Sequence, residues 1–175
     1  MTTRWRLRCA PDALAEFAKR FSYADDHAVE EIGARAKKSG VLDRDGFVQL
    51  CGWKTQRSRS RCARNEAAFI KAVTRAALSS RNERFKIEAL TLLDGVSWPT
   101  ASVILHFCDR DPYPIVDFRA LWSLGVNAPA RYTFPFWREY CEVVRGLVAR
   151  TGMSIRDVDR GLWQYSKERQ RPRAT

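Results

Sequence analysis

An all-α fold follows from three features of the sequence. Apolar residues recur at three- and four-residue spacing in one segment after another. Most of these segments open on Ser, Thr, Asn, Asp or Pro, and several close at Gly. Strand-like alternation is confined to one short terminal run, TRWRLRC. At 175 residues the chain can bury a core, and it fits one compact domain or two small lobes sharing a cleft.

The elements can be placed in order. Leu14, Phe17, Ala18 and Phe21 recur at helical spacing after Pro11, and Val29, Ile32 and Ala36 do so before Gly40. Asp43 is placed to cap a helix burying Phe47, Leu50 and Cys51, and Asn65 to cap another running to about Leu78. Asn82 followed by Glu83 opens a helix whose apolar face is read as Phe85, Ala89, Leu92 and Leu93. Ser97 then stands as N-cap, with Pro99 in the first turn and Thr100, Val103, Ile104 and Phe107 along one face. Thr133 before Pro135 repeats the formula, with Trp137, Tyr140, Cys141, Val144 and Val148 facing inward. Ser154 with Asp157 resembles a capping box for a last helix carrying Ile155, Val158 and Leu162. The biased segments are RSRSRCAR and the tail RQRPRAT, whose end is expected to be disordered.

Charge narrows the function. Thirty-one Lys and Arg face 20 Asp and Glu, a formal charge of +11, and the arginines cluster. A polyanion is the expected partner. No apolar run approaches membrane-spanning length and no basic helix carries a Trp/Leu face, so nucleic acid is favoured over a membrane surface. The N-terminal run lacks the apolar core of a secretory signal, and five widely spaced cysteines suit a reducing compartment, so a cytoplasmic location is expected. With no C-x-x-C pair and only His27 and His106, no zinc site or iron-sulfur cluster is expected from local motifs. His106 reads as a satisfied helical histidine, and Trp98, Trp122 and Trp163 as core or cleft-wall residues.

The segment LLDGVSWPTASVILHF, residues 92 to 107, joins two helices through Asp94-Gly95-Val96-Ser97. Gly95 permits a sharp turn, and the helix start after Ser97 presents free backbone N–H groups, an arrangement suited to phosphate. A plain helix-to-helix connection has the same local pattern. The next stretch adds a second feature, because YPIVDFRAL brings a proline and an aspartate to the start of a further helix.

This order of helix, glycine hairpin, helix and aspartate resembles the helix-hairpin-helix DNA glycosylase superfamily, which includes endonuclease III and the alkyl-adenine glycosylases. The matching residues run from Leu90 to Leu105 and from Tyr113 to Leu121, within a region of about 82 to 125. The resemblance implies a hairpin lobe at about 43–125 and a terminal-helix lobe at about 11–40 and 133–168 around a cleft, all in one domain, 1–175, with a basic tail at 169–175. It implies that Gly95, Val96, Ser97 and Thr100 grip the DNA backbone, with a monovalent cation possible at the hairpin and no other cofactor. It also implies that Asp117 is the catalytic carboxylate; its residue type and position equally suit a simple N-cap. Ser97 stands where the family pattern has a second glycine, and Pro99 stands where bifunctional members carry a lysine. Proline has no amine for a Schiff base, so the resemblance implies base removal that leaves an abasic site.

A glycosylase must extrude its target nucleotide and prop the gap. CGWKTQRSRSRCARN precedes the hairpin much as the family's DNA-intruding loop does. There Trp53, Lys54 and Gln56, together with Tyr113, are candidate pocket or wedge residues, while Arg57, Arg59, Arg61 and Arg64 can meet phosphates. An arginine-rich solvated loop with Trp53 in the core is the plainer alternative. The expected activity is a monofunctional DNA N-glycosylase acting as a monomer. The alternative is a non-enzymatic helix-hairpin-helix DNA-binding module. The excised base stays open among alkylated, mismatched, oxidised and hypermodified bases, and the role stays open between DNA repair and antiviral defence.

The charge yields a direct expectation. DNA affinity should fall steeply between low and moderate salt, because each neutralised phosphate releases counterions. Titrations at several salt concentrations measure this slope, and flat binding would contradict a nucleic-acid partner.

Overall fold

The structure, a computed structural model, describes residues 5–23 and 25–171. Regular structure among them is helical throughout: α1 (Ala13–Lys19), α2 (His27–Ser39), α3 (Arg44–Lys54), α4 (Gln56–Cys62), α5 (Ala67–Ser79), α6 (Glu83–Leu90), α7 (Trp98–Cys108), α8 (Phe118–Ser123), α9 (Phe134–Thr151) and α10 (Ile155–Arg169). The chain divides into two compact units. One takes the sequence up to Tyr23 and again from Val116 onward, and the other takes the stretch that ends at Ile115.

In the unit containing α2 to α7, α7 is the central element. Its residues from Thr100 to Cys108 are all buried, as expected of a helix with no polar face, and α2, α3 and α6 pack around it. The crossing of α2 on α7 is close enough to require glycine at residue 33. A Cβ there would lie 2.3 Å from the Phe107 carbonyl oxygen.

In the other unit α10 packs against α1, α8 and α9 over a core that includes Leu14, Trp137, Tyr140, Val144, Val158 and Leu162. The described part of TRWRLRC forms no strand. It runs extended along the end of α8, where the Arg6 and Arg8 N–H groups donate to the Leu124 and Ser123 carbonyls at 2.8 and 2.9 Å.

Three caps act as their residue types suggest. The side chains of Asp43, Asn82 and Ser154 accept from the N–H groups of Gly46, Phe85 and Asp157. Ser97 and Thr133 occupy N-cap positions without a side-chain bond. Asn65 caps nothing: α5 starts at Ala67 after Glu66. The buried face of α6 is Lys86, Ile87, Ala89 and Leu90, whereas Phe85 and Leu92 are exposed. The helix ends at Leu90, and Lys86 can face inward because it forms a buried ion pair with Asp109. On α9 the innermost residue of the last turns is Leu147, with Val148 only half-buried.

The helices are also partitioned differently from the sequence grouping. α2 packs on α7 and α3, and α8 packs on α10. Arg169, where the basic tail was expected to begin, closes α10, and residues 172–175 lie outside the described residues.

Gly33→Ala should therefore destabilise the protein by about 1–3 kcal/mol, since the new methyl must displace backbone rather than a flexible side chain. Thermal melting checks this. A more stable variant, as helix propensity alone would give, would contradict the packing.

Candidate functional site

The α6–α7 turn runs over residues 91–97 and is held from below by α4 and by Asn65, three residues beyond its end. Gly95 has φ 81°, a left-handed conformation that favours glycine. Its missing side chain faces the protein: a Cβ would lie 2.7 Å from Cys62 Sγ and 3.1 Å from Arg61 Cβ. Glycine is thus required both by the turn and by the close approach of α4. Asn65, almost fully buried, completes the seat. Its Nδ2 donates to the Asp94 carbonyl at 3.0 Å and to the Cys62 carbonyl at 2.9 Å, while its Oδ1 accepts from the Asp94 N–H at 2.9 Å.

α4 itself occupies sequence expected to form a loop. Thr55 breaks the chain with extended backbone after α3, and the RSRSRC run then turns helically so that Ser58 and Cys62 point inward. Small buried residues four apart leave the arginines on the outside.

Together these elements line a concavity of about 520 Å³, with Arg57 and Arg61 on one wall and Gly95, Val96, Ser97 and Thr100 on the other. Ser97 is exposed, and Thr100 is buried at the foot of α7. The start of α7 offers unsatisfied backbone N–H groups, although Pro99 supplies none. An anion fits this chemistry, met by two guanidinium groups and the positive end of a helix.

The other predicted residues of this unit are not among those lining this concavity. Arg59 lies against Gly52 on α3, with its Cδ 3.3 Å from where a glycine Cβ would stand. Arg64 is exposed and is not part of the lining. Trp53 is half-buried, its ring edge-on to Phe107 at 5.4 Å, while Lys54 ends α3 and Gln56 begins α4 at the surface. Tyr113 is buried in a separate concavity of about 810 Å³, its ring 5.7 Å from Lys86 Nζ and its carbonyl 2.6 Å from His106 Nδ1. Trp53, Lys54 and Gln56 thus stand together at the α3–α4 junction, whereas Tyr113 lines a different concavity.

Asp117 belongs to the other unit. It is the N-cap of α8, and its Oδ1 accepts from the Arg119 N–H at 2.9 Å. It remains half-exposed and lies near three phenols. Burial, and then the Asp117 charge, raise the pKa of Tyr23 and push that of Tyr132 up to about 12. Burial raises Tyr140 well above the usual range, with the charges of Asp159 and Asp117 adding to the effect. These phenols are consequently O–H donors at neutral pH, in the neighbourhood of a carboxylate.

Among the described residues no group of three His, Cys, Asp or Glu side chains is placed to hold a metal ion, and no helix is long and apolar enough to cross a membrane. In comparisons with known proteins, no family model, no curated protein and no solved structure matches this chain.

Replacing Asn65 with Ala would leave the Asp94 N–H and carbonyl without these partners beneath the turn. A loss of about 1–3 kcal/mol is expected, with faster amide exchange at Asp94. Unchanged exchange at that amide would mean that the turn does not depend on Asn65.

Proposed function

We propose that the protein is a monofunctional DNA glycosylase of the helix-hairpin-helix kind. The observation that carries this reading is the shared concavity of the α6–α7 turn and the arginine-bearing α4. Arg57 and Arg61 on one wall, with the start of α7 on the other, suit a backbone phosphate flanking the target nucleotide. A monovalent cation at the turn would be met by backbone carbonyls. The carbonyls of Leu93 and Asp94 each already accept one hydrogen bond, from Val96 N–H and Asn65 Nδ2, leaving one lone pair apiece. The chemistry does not pass through such an ion.

The reaction is hydrolysis at C1′. The bond from C1′ to the base nitrogen breaks and its electron pair leaves with the base. Positive charge grows on the deoxyribose, a water oxygen bonds to C1′, and the proton that water loses ends on the released base, so that the sum is the free base and an abasic hydroxyl. A carboxylate beside that sugar stabilises the charge and orients the water. Asp117 takes this role, its rotamer fixed by the Arg119 N–H bond. The mechanism requires that a strand held at the α6–α7 turn present its extruded nucleotide to Asp117. With proline at residue 99 no amine stands at that position to form a Schiff base, so the product is an abasic site.

The cap bond also supports a second reading, in which Asp117 only starts α8 and the chain binds DNA without chemistry. Asp117→Asn separates the two. Asparagine caps nearly as well as aspartate but carries no charge. On the glycosylase reading it should fold and bind DNA like the parent and lose single-turnover base release by a factor of roughly 100 or more. Parental base release by this variant would overturn the mechanism. Thermal melting of the same variant, within about 0.5 kcal/mol of the parent, separates lost chemistry from lost folding.

A further inference from the structure

The unit containing α8 and α10 carries a concavity of its own, of about 700 Å³, lined by residues that include Phe118, Arg119, Trp122, Asn127, Lys167 and Arg171. Among the described residues its lining contains no Asp or Glu. Two of the three basic side chains in this lining, Arg119 and Lys167, lie against aromatic rings. The Arg119 guanidinium lies 5.2 Å from the ring centroids of both Phe118 and Trp163. Lys167 Nζ lies 5.4 Å from the Trp163 ring and donates to Ser22 Oγ at 2.8 Å. Arg8 covers the Trp122 ring at 4.7 Å and donates to the Trp122 carbonyl.

Elsewhere in the same unit Arg20 and Arg160 also lie over rings, of Phe17 and Phe21, but each is met by a carboxylate as well, Glu168 at 3.1 Å and Asp157 at 3.2 Å. A cation held by a ring keeps its charge uncompensated and its hydrogen-bond donors available. Phe118, the first residue of α8, is 54% exposed, although burying it would have stabilised the fold. An exposed ring beside fixed cations, with no carboxylate in the wall, is suited to an aromatic ligand bearing negative charge.

We propose that this concavity binds one nucleotide of a DNA strand, its base stacked on Phe118 and its phosphates facing Arg119, Lys167 and Arg171. The site rests on the nucleic-acid part of the reading above and is independent of the chemistry assigned to Asp117.

The test uses the full chain and fluorescence anisotropy with two labelled single strands of equal length, oligothymidylate and a fully abasic strand, at fixed salt. The parent should prefer the base-bearing strand by a factor of roughly five or more. Phe118→Leu should remove most of that preference and leave abasic binding unchanged. Arg119→Gln with Lys167→Gln should weaken both strands and flatten the salt dependence. Phe85→Leu, at an exposed ring of the other unit, should change neither strand. Thermal melting verifies folding, with Phe118→Met as the substitute if the leucine variant melts early.

A preference that survives both Phe118 variants would overturn the stacking site. So would equal losses on both strands from the cation variants with Phe118→Leu silent, which would leave only an anion-binding surface. Failure of the parent to bind either strand would overturn this site together with the nucleic-acid partner. A Phe118-dependent preference in a protein that releases no base would uphold this site and overturn the glycosylase chemistry alone.

Discussion

The reciprocal pair of hydrogen bonds between Asn65 and the backbone of Asp94 fixes the part of the molecule on which the functional reading depends. A turn that presents backbone N–H groups to a ligand has few intramolecular partners of its own, and unpaired polar backbone is costly where water is excluded. Asn65 satisfies both groups of Asp94 from a neighbouring element. The same contact brings Cys62 and Arg61 against Gly95, so the arginines of α4 arrive at the turn as a consequence of how the turn is supported. Support and ligand-facing charge come from one short helix and the residues just after it.

That economy explains which parts of the site could be read from the sequence. Gly95, Ser97 and Asp117 are legible because their roles are local: a left-handed turn, the residue before a helix and an N-cap each leave a mark within a few positions. Asn65 carries the same mark as a cap residue, since it precedes a helical segment closely. Its side chain turns instead to Asp94, and no local rule distinguishes the two. α4 was hidden for a related reason. Its inner stripe is Ser58 and Cys62, too small and too polar to register as an apolar face, so RSRSRC looks like a solvated loop until it is packed.

The fold shows the same division. Helix starts at Asp43 and Asn82 and the all-helical character were readable from caps and periodicity. The partition of helices was not. α2 and α1 both carry apolar stripes, and what lets α2 approach α7 so closely is the absence of a side chain at Gly33, which matters only when Phe107 is opposite. Lys86 reverses the usual expectation for lysine, being buried because Asp109 meets it from the far end of α7. Long-range pairing of this sort leaves no periodic trace.

Charge completes the picture. An excess of cations is common to many proteins, but here part of the surplus is set against aromatic rings beside α8. Such cations lose little side-chain freedom when an anion arrives. Whether that anion is DNA undergoing base excision is tested most directly by incubating the protein with a panel of damaged and modified DNAs and identifying free bases by mass spectrometry. The account predicts release of a free base from at least one member, with the strand intact until alkali is added. DNA that is bound across the whole panel with no base released would contradict it.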